Sequence, residues 1–79
     1  MIMEKEISAL IAELLNVDED TVKGCKNIME ELAVNSLKLM QITDAIEDTY
    51  GIRIDIRRDT ERLGTVKSIA GLVSERRSQ

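Results

Sequence analysis

Ser36 is the residue whose type and setting best suit chemistry. It follows Asn35 and precedes Leu37, where an amphipathic segment begins. Asparagine is a strong helix N-cap, although serine and asparagine are also common at helix starts that carry no function. A group attached to the Ser36 hydroxyl would meet unpaired backbone N–H groups and the positive end of the helix dipole. The position would therefore suit a covalently attached anion, such as a phosphodiester.

The composition argues against independent catalysis. The chain contains no histidine and a single cysteine, Cys25. No Ser/His or Cys/His nucleophile pair can be formed, no zinc site with histidine ligands is available, and one thiol cannot assemble a metal cluster. We therefore expect neither an enzyme nor a metal site. Cys25 is interpreted as an incidental loop or core thiol, because nothing in the sequence supplies a base or cation to activate it.

Three main helices are expected to position Ser36. Apolar spacing predicts the first from about Met3 to Leu15, with Asn16 in a left-handed C-terminal turn. The second is predicted from Ser36 to Tyr50, ended by Gly51, and the third begins after Thr65 as N-cap. The residues expected to be buried in this third helix are Val66, Ile69, Ala70 and Val73.

The second helix has two distinct predicted faces. Its predicted buried face comprises Leu39, Ile42, Ile46 and Tyr50. The predicted partner-binding surface comprises Leu37, Met40, Gln41, Asp44, Glu47 and Asp48. Exposed apolar residues and acidic helix faces are common without any function, but the closeness of Leu37 and Met40 to Ser36 favours a docking role.

Two connections separate the helices. The stretch from Val17 to Asn35 is long and charged, with Val22, Ile28 and Leu32 as expected anchors and a helical turn between the last two. Residues 51–56 alternate like a strand, but no second strand could pair with them. We expect an extended segment that turns Ile54 inward, followed by a turn of helix near Asp59 to Leu63.

These features resemble the carrier-protein family. The resemblance rests on Glu31-Leu32, on Asn35-Ser36-Leu37, on the acidic second helix ending in Tyr50-Gly51-Ile52, and on Thr65-Val66. Asn35-Ser36-Leu37 is similar to the family's Asp-Ser-Leu modification motif. The chain differs from the usual pattern at Asn35, where aspartate is common, and at Ala33, where glycine is common. Asparagine at this position resembles some peptidyl carriers.

The resemblance implies a function and a set of partners. A phosphopantetheinyl transferase would move 4′-phosphopantetheine from coenzyme A to Ser36, and the thiol of the arm would hold an acyl, aminoacyl or peptidyl group as a thioester. Further partners would be acyl-transferring, synthase or adenylating enzymes of fatty acid, polyketide or nonribosomal peptide biosynthesis. The implied fold is an all-α four-helix bundle, with three main helices plus one short helix, in a single freestanding carrier domain over residues 1–79. A monomer is expected.

Charge and hydropathy narrow the classes of partner. Residues 1–50 contain four lysines against eleven acids, a net charge of −7, whereas residues 51–79 have a net charge of +3. The acidic part disfavours nucleic acid, whose phosphates are bound by lysine and arginine. No apolar run could span a membrane and no signal peptide is evident, so a cytoplasmic protein is expected. Two alternatives remain: a helical adaptor that is not phosphopantetheinylated, and a helix-turn-helix nucleic-acid binder.

Overall fold

The computed structural model describes residues 2–77 and is helical throughout its regular elements. The helices are α1 (Ile2–Leu15), α2 (Glu19–Lys23), α3 (Ile28–Glu31), α4 (Ser36–Tyr50), α5 (Ile56–Asp59) and α6 (Val66–Arg77), with a 3-10 turn at Thr60–Leu63. No strand occurs within residues 2–77, so the all-α prediction is confirmed. Met1, Ser78 and Gln79, which the predicted domain included, lie outside the described residues.

The number of short helices differs from the prediction. The sequence predicts two helical turns, one between Ile28 and Leu32 and one near Asp59 to Leu63, whereas residues 2–77 contain α2, α3 and α5 as well as the 3-10 turn. The predicted helical turn at Ile28 is α3, whereas α2 was missed. Only Val22 of α2 is buried, and a single buried position in five residues leaves no periodic pattern to detect.

An aliphatic core holds the three long helices together. The fully buried side chains of these helices include Ile7 and Ile11 of α1, Ile42 and Ile46 of α4, and Ile69, Leu72 and Val73 of α6. Val22 and Ile28 add the loop between α1 and α4 to the same core, as predicted. The buried face predicted for the last helix is confirmed at all four positions, and Leu72 extends it.

The end of α1 follows the sequence prediction. Asn16 has a left-handed backbone, with φ of 58°. Its N–H donates to the Glu13 carbonyl at 3.3 Å, and the Val17 N–H donates to the Ala12 carbonyl at 3.0 Å. This pair of bonds is a Schellman motif, which satisfies carbonyls that the helix itself leaves free. Asparagine tolerates this conformation better than most residues with a side chain.

Helix α4 runs antiparallel to α1. Near its start the Lys38 ammonium approaches the Leu14 carbonyl at 3.4 Å, at the last turn of α1. At its other end the Tyr50 hydroxyl donates to Glu6 at 2.7 Å, near the first turns of α1. Burial and this bond to a carboxylate raise the pKa of Tyr50 to about 12. The two contacts place Ser36 beside the C-terminal end of α1.

The extended segment after α4 obtains its backbone partner from a side chain. Gly51 ends the helix with φ of 66°, and the Glu47 carboxylate accepts the Ile54 N–H at 2.7 Å. The expectation that Ile54 turns inward is met only in part, because Ile54 is half-buried while Ile52 is buried. Ile52 was not predicted as an anchor.

A buried ion pair joins α5 to α6. Asp59 is 3% exposed, and its two carboxylate oxygens accept from the Arg76 guanidinium at 2.8 and 3.0 Å. The same carboxylate accepts the Asp55 N–H at 2.9 Å. Arg76 lies in the last turn of α6, where its charge also complements the negative end of the helix. The bonds to Arg76 hold the pKa of Asp59 below its ordinary value despite the burial.

Removing this carboxylate should destabilise the protein strongly. Asp59→Asn leaves the Arg76 cation without its counter-charge, and because Arg76 is a quarter exposed the loss should be about 1.5–3 kcal/mol, the range for hydrogen bonds to charged groups. Glu75→Gln is the matched control, because the Arg62–Glu75 pair is much more exposed and should contribute at most about 1 kcal/mol. Urea unfolding of the two variants provides the comparison, and equal losses would contradict the structural role of Asp59.

The same pair predicts the acid limb of the stability curve. Because Asp59 titrates lower in the folded chain than in the unfolded chain, its stabilising contribution is complete above the ordinary aspartate pKa. The contribution is lost as pH falls through the lowered folded-state pKa. The free energy of unfolding of Asp59→Asn should therefore vary less below about pH 4 than that of the parent protein.

Candidate functional site

Asn35 and Ser36 form the start of α4 in the predicted arrangement. The Asn35 side chain accepts the Lys38 N–H at 2.8 Å, and its carbonyl accepts the Leu39 N–H at 2.9 Å. The predicted N-cap is therefore confirmed. Ser36 is the first helical residue and is exposed. Within residues 2–77, its hydroxyl and the N–H groups of Ser36 and Leu37 form no hydrogen bond.

A strained turn leads the chain into this site. Ala33 has φ of 50°, a left-handed conformation that a residue with a Cβ adopts at a cost. Its N–H donates to the Glu30 carbonyl at 3.3 Å, and the Val34 N–H donates to the Met29 carbonyl at 2.9 Å. This Schellman motif ends α3 and directs the chain toward Asn35. Glycine, which has no Cβ, adopts this left-handed conformation more easily than alanine does.

Side chain to backbone bonds also order the beginning of α3. Asn27 accepts the Glu30 N–H at 3.2 Å as N-cap. The Glu31 carboxylate accepts the N–H groups of Lys26 and Asn27 at 2.6 and 2.7 Å. The arrangement is similar to a capping box, in which side chain and backbone satisfy each other reciprocally. The long connection is therefore locally ordered up to Ser36.

The predicted docking surface lies on the exposed side of α4. Leu37 is 63% exposed and Met40 is 52% exposed, which makes them the large apolar residues accessible beside Ser36. Gln41, Asp44 and Asp48 are also exposed. Glu47 differs, because it is half-buried and its carboxylate binds the Ile54 backbone. The structure therefore brings together five of the six predicted surface residues, while Glu47 has a structural bond of its own.

The buried face of α4 is rotated slightly from the predicted one. Ile42 and Ile46 are buried as expected, but Leu39 and Tyr50 are only half-buried. Thr43 is buried instead, at 3% exposure, and its hydroxyl donates to the Met40 carbonyl at 3.1 Å. A threonine that satisfies its own hydroxyl within the helix can be buried without a distant partner. The polarity of threonine therefore gave no indication in the sequence that Thr43 would be buried.

Comparison of the sequence with known proteins identifies a family that it matches. A family model described as the phosphopantetheine attachment site covers residues 5–73. The chain belongs to this phosphopantetheine-binding family. The acyl carrier protein of Petrotoga mobilis is 31% identical over 72 residues, covering 91% of this chain and 84% of that protein. The acyl carrier proteins of Bdellovibrio bacteriovorus and Chlamydia muridarum are each 28% identical, over 96% and 99% of this chain and 96% and 100% of theirs.

Family membership establishes a carrier role rather than a catalytic one, with covalent phosphopantetheine as the prosthetic group. The residues at the start of α4 fit that group. Ser36 is exposed, and the N–H groups of Ser36 and Leu37 can receive a phosphodiester at the positive end of a 15-residue helix. Residues 2–77 contain no cluster of side chains suited to a metal ion. None of the helices among these residues has the length and apolar character to span a bilayer.

Replacing Ala33 by glycine should stabilise the protein. Glycine relieves the left-handed strain of about 1–2 kcal/mol, and part of this gain is offset by its greater freedom in the unfolded chain. We expect a net gain of about 0.5–1 kcal/mol in the free energy of unfolding, measured by urea denaturation.

Ala45→Gly is the control for this substitution. Ala45 lies in the interior of α4, so glycine there should destabilise by about 1 kcal/mol. If Ala33→Gly were destabilising to the same extent as Ala45→Gly, the left-handed turn before Ser36 would be wrong.

Proposed function

We propose that the protein is an acyl carrier whose phosphopantetheine arm is attached to Ser36. The observation that carries this proposal is the exposed Ser36 hydroxyl in the first turn of a capped helix, inside the region that matches the phosphopantetheine attachment family. The motif formed by Asn35, Ser36 and Leu37 lies at the start of α4. The exposed apolar residues Leu37 and Met40 lie immediately beside Ser36. Acyl cargo is favoured because the similar proteins are named acyl carrier proteins.

The residues of this chain position the attachment site but do not catalyse the attachment. Attachment forms a bond between the Ser36 oxygen and the phosphorus next to pantetheine, and it breaks the P–O bond of the coenzyme A pyrophosphate, which releases adenosine 3′,5′-bisphosphate. Within residues 2–77 no side chain is hydrogen-bonded to the Ser36 hydroxyl, so the proton leaving Ser36 would pass to a base supplied by the transferase. The positive end of α4 stabilises the resulting phosphodiester charge. The thiol of the attached arm then holds the acyl group as a thioester.

The proposed partners are a phosphopantetheinyl transferase and the enzymes that load and use the acyl group. Leu37 and Met40 would enter an apolar depression on such an enzyme, while Gln41, Asp44 and Asp48 would face basic side chains around it. We place the protein in the cytoplasm, as one carrier domain in fatty acid, polyketide or nonribosomal peptide biosynthesis. The carrier then contributes effective concentration, because a tethered substrate reaches successive active sites without diffusing away.

Modification of the purified protein tests the attachment site. Incubation with coenzyme A and a phosphopantetheinyl transferase should add one phosphopantetheine to the intact mass, and Ser36→Ala should abolish the addition. Ser68→Ala is the matched control, because Ser68 also lies in the first turn of a capped helix, where its N–H donates to Thr65 at 3.1 Å. An unmodified parent protein would instead favour an adaptor without an arm. Modification of Ser36→Ala would place the site elsewhere.

The docking surface can be separated from the core on the same helix. Met40→Ser should leave the melting temperature almost unchanged, because the side chain is half exposed, yet slow transfer to partner enzymes. Ile46→Ala removes a fully buried side chain and should cost about 2–5 kcal/mol. Thermal unfolding and initial transfer rates of the two variants give the comparison. A large stability loss from Met40→Ser would contradict the orientation of α4.

A further inference from the structure

A groove separate from the Ser36 surface lies between the N-terminal turns of α1 and α6 and the end of α2. Its volume is about 910 Å³. Its lining includes Ile2 and Lys5 of α1, Lys23 and Lys26 around the end of α2, and Val66 and Lys67 of α6. We call this feature the lysine groove. Nothing in the carrier function described above uses it.

The charge of the lysine groove is opposite to that of the whole protein. Four of the five lysines of the chain line it, against one acid, Glu4, whereas the protein has a net charge of −4. None of these four ammonium groups forms an ion pair or side-chain hydrogen bond with another part of residues 2–77. The fifth lysine, Lys38, approaches a backbone carbonyl. The lining of the groove therefore has an excess of positive charge, with the Glu31 carboxylate beside it, where it accepts the Lys26 N–H at 2.6 Å.

Apolar surface lies among these charges. Ile2 is 80% exposed, the most exposed large apolar side chain that the structure describes. Val66 and Cys25 form buried parts of the lining. The N-terminal turn of α6 adds the positive end of a 12-residue helix dipole. A complementary occupant must therefore combine negative charges with at least one large apolar group.

The groove and Ser36 lie toward opposite ends of α1. Lys5 is in the first turns of this helix, whereas the Leu14 carbonyl in its last turn contacts Lys38 of the Ser36 region. Glu4, which also lines the groove, and Leu14 are ten residues apart in this helix, which corresponds to roughly 15 Å. The groove lining and the Ser36 surface therefore share no residue.

We propose that the lysine groove is a second docking surface, which binds an acidic segment of a partner protein that also carries a large apolar side chain. The acidic segment would place its carboxylates among the lysines and its apolar side chain against Ile2 and Val66. Such binding would hold a partner next to the carrier while Ser36 engages a catalytic site. Four lysines against one acid in the lining favour an acidic occupant over a neutral or basic one. Concentration-dependent self-association of the chain without peptide would show that a second copy occupies the groove and would overturn the proposal.

The test is an NMR titration of the full chain with the synthetic peptide EELLEELLEE, compared with its uncharged analogue QQLLQQLLQQ. The acidic peptide should shift amide resonances in the first turns of α1 and α6 and at residues 23–26, with an affinity that falls as salt rises. Reversing the charges of Lys23, Lys26 and Lys67 to glutamate should weaken binding by about tenfold, as expected for several exposed ion pairs. All three side chains are exposed, so folding should be retained and is checked by circular dichroism.

The matched control reverses Arg53, Arg57 and Arg58, which are exposed, lie outside the groove and give the same change in net charge. This control should retain groove binding within about twofold of the parent protein, allowing for long-range charge effects. Absence of binding, equal weakening by both triple variants, or shifts centred on the arginines would overturn the proposal. Binding to vesicles of anionic phospholipid without binding to the peptide would also overturn it, in favour of a membrane surface. Ser36→Ala should bind the peptide normally, so this result is independent of phosphopantetheine attachment.

Discussion

The burial of Ile42 and Ile46 in the aliphatic core is the constraint on which the site depends. These two side chains fix the rotation of α4 about its axis. That rotation decides which of the remaining side chains of the helix face the core and which face solvent. Leu37 and Met40 become exposed because of this rotation, and the Asn35 cap fixes where the helix begins. The exposed serine in the first turn is therefore a consequence of core packing combined with one side-chain cap.

Much of this arrangement follows from the sequence alone, because its signals are local. The Asn35 and Thr65 caps, the left-handed Asn16, the end of α4 at Gly51 and the positions of the long helices were predicted correctly from residue type and periodicity. Other features depend on tertiary contacts. Asp59 is buried only because Arg76, 17 positions away, provides its counter-charge, and Thr43 is buried by satisfying its hydroxyl inside α4. Helix α2 is too short to produce a periodic pattern.

The two departures from the family pattern have different physical meanings. Asn35 performs the capping that aspartate would perform, so it changes local charge without changing how the helix starts. Ala33 occupies a left-handed turn where glycine would be unstrained, so the backbone just before Ser36 is slightly strained. The charges also differ between helices, with the acids of α4 in its second half and four lysines around the first turns of α1 and α6 and the end of α2.

The most direct measurement of the central claim is peptide mapping of the modified protein by tandem mass spectrometry. The chain has five serines, and Ser36 is exposed at the start of α4, where the N–H groups of Ser36 and Leu37 form no hydrogen bond within residues 2–77. After incubation with coenzyme A and a phosphopantetheinyl transferase, the group should be found on the fragment containing Ser36 and on no other. A group located on any of the other four serines would contradict attachment at Ser36.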